Sequence, residues 1–287
     1  MTTATAFDPR AFKAASRSQW GQAAQGWNDH SPKIRDWLRT ATDAMLDMAG
    51  IAAGDRVLDV AAGAGDQTLD IAGRVGPQGF VLATDFSAAI LEHARRNAVR
   101  AGYRNVETRV ADGESLDAAE GSFDAAVCRL GLMLFPDPLQ GLREMRRALK
   151  PGGGACTMVF SGPEANPCIS ALMQTALAHA GLPPRDPCQP GGLMSLGKPG
   201  LIDALFRDAG FRDVATTRID APFRLPSARD YLDFVRTSAS PVQQILGKLD
   251  AAARDAAWKA IEERLGAFQT AAGWEGPNEL LLTAARR

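Results

Sequence analysis

Asp59, Asp85 and Asp112 are the residues whose positions suggest chemistry. Each stands at or near the end of a short apolar run, and the first run leads into Gly63-Ala64-Gly65. Two glycines after a strand permit a tight turn and let a ligand lie directly against backbone. An acid at the end of the next strand can accept hydrogen bonds from both hydroxyls of a ribose. Asp112 could accept in the same way from an adenine amino group. The dinucleotide fingerprint asks for a third glycine three positions after Gly65, and Thr68 stands there instead. A pyrophosphate would also be repelled by Asp59 in a dry site. A plain packing turn explains the glycines alone, and each acid alone could be a cap. Three such acids in register with one glycine turn favour a cationic, adenosine-bearing ligand.

The elements that must hold these residues follow from periodicity. Residues 57–61, 80–85, 106–110, 123–128 and 155–160 read as strands, and the fourth is nearly all apolar, as in a strand covered on both faces. Helical spacing appears at Leu69, Ala72 and Val75, then at Ile90, Leu91, Ala94 and Ala98, with Ser87 as a cap and Gly102 at the exit. Asp137-Pro138 opens a helix that buries Leu139, Leu142, Met145 and Leu149, and residues 151–154 end it. Alternating strands and helices imply right-handed crossovers and a parallel sheet. A helix at 166–181, another at 200–209, a strand near 214–221, two or three helices over 227–272 and a strand at 279–284 follow. The expected fold is therefore α/β: a Rossmann-like, doubly wound, mainly parallel sheet of seven strands, the last antiparallel, with helical lid additions. Residues 1–50 form an N-terminal helical lid segment in this reading. Residues 51–287 form the main domain, with helical insertions at about 162–200 and 226–275.

In this order and spacing the segments VLDVAAGAGD (57–66), VLATDFS (81–87), VADGESL (110–116), FDAAVCRLGLMLFPDP (123–138) and LREMRRALKPGG (142–153) resemble the class I S-adenosylmethionine-dependent methyltransferases. The likeness is strongest to the group containing the ubiquinone/menaquinone C-methyltransferases and related small-molecule enzymes. The resemblance implies S-adenosyl-L-methionine as cofactor and S-adenosyl-L-homocysteine as product. It implies Gly63, Gly65, Asp85 and Asp112 as cofactor contacts, with Asp59, Ala61, Phe86, Gly113 and Arg129 beside them, Arg129 at the methionine end. The sequence departs from the family in Ala61, where a glycine is frequent, and in residues 131–135, where many relatives carry histidines. It lacks the Asn/Asp-Pro-Pro-aromatic motif of nucleic-acid amino-methyltransferases.

Methyl transfer from sulfonium is an in-line displacement, accelerated by alignment and exclusion of water; a base is needed only if the acceptor must lose a proton. His30 is the one candidate base, since His93 and His179 read as surface residues. Trp20, Ala23, Ala24 and Trp27 form a helical stripe whose indoles could face a cation, as could Phe12. Packing is the plainer explanation of that stripe. Trp20, Trp27, Met133 and Phe135 are the candidate substrate pocket, a mostly apolar cavity for a small organic acceptor. A protein that binds the cofactor without transferring methyl, and a nicotinamide-dependent oxidoreductase, remain as alternatives.

The balance of 32 Lys and Arg against 33 Asp and Glu, scattered along the chain, argues against a nucleic-acid partner. No apolar run approaches the roughly 18 residues a membrane span needs. Residues 1–13 do not read as a signal peptide, so the chain is expected in the cytoplasm. Cys128, Cys156, Cys168 and Cys188 have no metal-type spacing and read as reduced thiols, so no metal is expected.

Overall fold

The computed structural model describes residues 8–238 and 240–287. Seven strands form the main sheet: β1 (Arg56–Val60), β2 (Phe80–Asp85), β3 (Val106–Val110), β4 (Phe123–Arg129), β5 (Leu149–Phe160), β6 (Arg212–Asp220) and, late in the chain, Glu279–Arg286. Three short strands, β7 (Phe223–Leu225), β8 (Gln269–Thr270) and β9 (Gly273–Gly276), precede that last one, which is therefore β10. The sheet order is β3-β2-β1-β4-β5-β10-β6. The first five strands are parallel, and β10 runs antiparallel to both β5 and β6. This is the seven-stranded arrangement expected from the sequence. The order reverses between β1 and β4, where Val57 pairs with Val81 on one side and Ala125 on the other. A crevice opens at such a reversal, beyond the strand ends.

Helices α1 (Pro9–Asp29) and α2 (Ser31–Ala49) precede the sheet, and α3 (Asp66–Val75), α4 (Ala88–Arg100) and α5 (Pro138–Ala148) link its strands. Asp8 caps α1 by accepting from the Arg10 and Ala11 amides, and Asp137 caps α5 by accepting from the Gln140 amide. Of the segment expected to be a lid, helix α1 lies along the crevice, and α2 reaches its wall through Leu38. Helix α2 is built into the sheet's core, with Ile34, Leu38 and Met45 fully buried. Further on come α6 (Pro167–His179), α7 (Leu201–Asp208), α8 (Ala228–Ser238), α9 (Ser240–Leu246) and α10 (Ala251–Leu265).

Two expectations about these elements need correction. Residues 151–154 do not form a separate stop: β5 begins at Leu149 and runs through them, with a register shift against β4 that absorbs the extra length. Helix does not continue to residue 272 either, because α10 ends at Leu265 and β8 and β9 join β7 in a three-stranded sheet. Burial of Trp274 accounts for the second departure. Its indole Nε1 donates to the Leu265 carbonyl at 2.8 Å and its ring stacks on Tyr231 with centroids 4.6 Å apart. Among the described residues no helix is long and apolar enough to cross a membrane. All four cysteines are free, and three of them are buried.

Candidate active site

The turn after β1 is built on left-handed backbone. Ala61, Gly63 and Gly65 have φ of 56°, 59° and 90°, and Leu130, at the end of the neighbouring β4, has φ 57°. Alanine and leucine pay a steric cost in this region, and such strain collects at binding sites. The Ala61 methyl also crowds its neighbour, since a Cβ added to Gly131 would lie 2.4 Å from it. A glycine is therefore required at position 131.

Asp85 stands at the end of β2 and fixes this turn from the side. Its carboxylate accepts from the amide of Gly63 at 3.1 Å and from that of Ser87 at 2.9 Å. Burial nevertheless outweighs those bonds and pushes its pKa from 3.8 up to about 6. A buried carboxylate held by two backbone amides has lone pairs left for a ligand's hydroxyls.

A pocket partly open to solvent lies against this turn. Of the residues expected at the cofactor, Ala61, Gly63, Asp85, Phe86, Asp112, Gly113 and Arg129 line it. Of the expected acceptor residues, Trp20, Trp27 and Phe135 line it, and so does Phe12. The Trp20 and Trp27 rings meet edge to face at 5.4 Å. Trp27 overhangs the turn, for its Nε1 is 3.6 Å from where a Gly63 Cβ would be. Phe135 reaches the floor because Gly113 and Gly141 leave room for its ring; a Cβ on either would fall within 2.6 Å of it.

Four expected site residues lie elsewhere. Asp59 is fully buried behind the turn, where its oxygens accept from Thr68 Oγ1 at 2.6 Å and Gln67 Nε2 at 3.1 Å. Burial pushes its pKa up to about 6 against those bonds and the nearby Arg129 charge. Gly65 faces α4, where a Cβ would press on Ala94 at 2.9 Å, and it is not among the residues lining the pocket. Met133 is buried beside the pocket without lining it, and its carbonyl accepts from Ser195 Oγ at 2.6 Å. His30, the candidate base, shares a 3.0 Å hydrogen bond with Thr237 Oγ1 and packs edge-on against Phe234. None of the three histidines lines the pocket.

The structure also adds residues that the sequence did not single out. Lys13 and Glu114 lie at the rim, and Ser16, Leu38, Gln67, Leu130 and Leu134 are among the residues of the wall. Below the rim Arg129 is almost wholly buried, donates to Thr42 Oγ1 at 3.1 Å, and stands 3.7 Å from Asp66 Oδ2. Burial lowers its pKa, while Asp66 and Asp59 act the other way. Asp66 is buried beside Ser31, and burial raises its carboxyl's pKa, while Arg129 and Ser31 act the other way. Gln67, the second residue of α3, follows the glycine turn directly, and that position was its only local signal; Lys13 carries none.

A sheet of this order, with a glycine turn and a buried acid at its reversal, is the frame of the class I S-adenosylmethionine-dependent methyltransferases. Many solved structures share it. The YcgJ protein of Bacillus subtilis superposes with a TM-score of 0.59 at 19% identity, over 87% of this chain and 98% of that one. The [4+2]-cyclase SpnF does so with a TM-score of 0.56 at 20% identity, over 92% and 95%. Within that class the chain belongs to the ubiE/COQ5 methyltransferase family, whose profile matches residues 33–178. The ubiquinone/menaquinone biosynthesis C-methyltransferase UbiE of Hahella chejuensis is 40% identical over 126 residues, 44% of this chain and 50% of that protein. The chain thus spans about half the length of the curated relatives it matches.

Proposed function

We propose that this protein binds S-adenosylmethionine at the β1–β2–β4 strand ends and transfers its methyl group to a small organic acceptor held under α1. The observation that carries the reading is Asp85, a buried carboxylate fixed by the Gly63 and Ser87 amides at the reversal of the sheet. In this reading Asp85 accepts from both ribose hydroxyls and Asp112 from the adenine amine, with Phe86 and Gly113 beside the nucleoside. Arg129 receives the carboxylate of the methionine end. Arg129 is buried and lines the pocket, a placement that suits a carboxylate at that end.

Bound adenosylmethionine supplies a methyl group on a sulfonium whose departure leaves a neutral thioether. The protein's own part is to align and to exclude water. Trp20, Trp27, Phe12 and Phe135 give an aromatic wall whose faces tolerate the cation and whose area favours a flat, apolar acceptor. The curated relatives are named for ubiquinone and menaquinone biosynthesis, so quinols are the first acceptors to test. Calorimetry with adenosylhomocysteine and with NAD, followed by a labelled-methyl screen of quinols, phenols, amines and thiols, tests the reading. Binding of NAD without binding of adenosylhomocysteine would overturn it. Cofactor binding without transfer to any acceptor would favour a non-catalytic role, since one fold hosts many functions.

A further inference from the structure

The two halves of α1 are held by different means. Its second half is anchored by packing: Ala23 and Ala24 are buried, Ala24 sits in a cluster with Ala64 and Ile90, and a Cβ on Gly26 would collide with the Thr237 carbonyl. Residues 9–22, by contrast, bury no side chain fully. Phe12 in this half rests on Gly191, and the Arg17 guanidinium lies 5.9 Å from the Phe86 ring centroid. The ionic tie is Lys13. Its Nζ lies 2.6 Å from Asp112 Oδ2 and 2.6 Å from Glu114 Oε2, across about a hundred residues of chain. The other Asp112 oxygen accepts from the Glu114 amide at 3.0 Å, and Glu114 Oε1 accepts from the Asp137 amide at 2.9 Å. The side chains are 28%, 32% and 12% exposed for Lys13, Asp112 and Glu114, so solvent screens this clasp only in part.

We propose that Lys13 is a cofactor-positioning residue that straps the first half of α1 onto the loop carrying the adenine acceptor, Asp112. The strap closes the roof over the nucleoside and sets Ser16 and Trp20, on the same half-helix, as the wall of the acceptor compartment. The bonds leave room for an adenine amine on Asp112, because a carboxylate offers about four lone-pair sites. Ligand and strap therefore reinforce each other: the closed roof slows escape, and by linkage the bound nucleoside steadies the roof. Affinity should then be lost through faster dissociation, with little change in association.

The inference rests on the assignment of Asp112 to adenine, and the experiment separates the two. Lys13→Met, Lys13→Arg, Glu114→Gln and the double variant Lys13→Met/Glu114→Gln are compared with the native protein. Hydrogen exchange over residues 9–22 is followed without ligand. Adenosylhomocysteine dissociation is followed by tryptophan fluorescence at low and high salt. Lys13→Met should speed exchange in this segment and dissociation about fivefold at low salt, the order expected for a partly exposed ion pair. The dissociation difference should shrink at high salt, Lys13→Arg should restore most of it, and Glu114→Gln should add little once Lys13 is gone. Unchanged exchange and dissociation in Lys13→Met would overturn the proposal, as would tighter binding, which would make Lys13 a competitor of the ligand. Should the native protein bind no adenosylhomocysteine, the functional reading fails, and ligand-free exchange still decides whether Lys13 holds α1.

Discussion

Replacing Asp85 by asparagine keeps the shape of the side chain and removes its charge at the centre of the proposed site. In the ligand-free protein two effects oppose. The asparagine amide must turn its NH₂ toward one of the two backbone amides, at 2.9 and 3.1 Å, leaving donors facing each other at a cost of about 1–3 kcal/mol. Against this, a buried anion is gone. The rise of the Asp85 pKa from 3.8 to about 6 corresponds to about 3 kcal/mol of unfavourable burial at neutral pH. The two nearly cancel, so thermal stability should change little. Binding has no such compensation. Ribose hydroxyls donating to a charged acceptor are worth about 1.5–3 kcal/mol each, so the loss should be at least about 1.5 kcal/mol, or roughly tenfold in Kd. Calorimetry with adenosylhomocysteine reads the affinity, and a melting curve guards against misfolding. A well-folded Asp85→Asn protein whose Kd stays within about twofold of the native value refutes the placement of the ribose.

Three more outcomes follow. Because the folded pKa values of Asp59 and Asp85 lie above 3.8, their protonation favours the folded state: their contribution to stability is full below about pH 3.8 and is lost as pH rises through about 6. Adenosylhomocysteine affinity should run the opposite way, falling by up to about tenfold per pH unit below about 6 as Asp85 protonates, and Asp85→Asn should flatten that slope in a pH series of titrations. Gly131→Ala should destabilise by about 1–3 kcal/mol in denaturant melts, since its Cβ would meet Ala61 Cβ at 2.4 Å and Cys128 Sγ at 3.0 Å. Adding Ala61→Gly should recover at least half of this loss, and additive effects of the two changes would contradict the contact. His30→Ala should leave labelled-methyl transfer within about twofold and lower stability by about 1 kcal/mol, the worth of a typical hydrogen bond; loss of turnover in a folded protein would restore His30 to the chemistry.

The sequence by itself determined the frame. Strand and helix periods are local, and the β1 turn, the strand-ending Asp85 and the Asp137-Pro138 start of α5 each carry their signal within a few residues. Order and spacing of those segments were enough to indicate the family. Tertiary structure decided which way each side chain of the frame faces. Asp59 and Asp85 look alike in sequence, yet Asp59 is taken up by Thr68 and Gln67 of α3, whereas Asp85 lines the pocket and is held by the Gly63 amide. Thr68, notable in the sequence only for not being glycine, is the donor that occupies Asp59, and Gly65 faces α4 without lining the pocket. His30 stands close to Trp27 in sequence but faces α8 in space. Lys13 meets Asp112 and Glu114 only when the chain has folded. Contacts between distant segments are set by how helices pack on a sheet, and no local run of residues encodes that geometry.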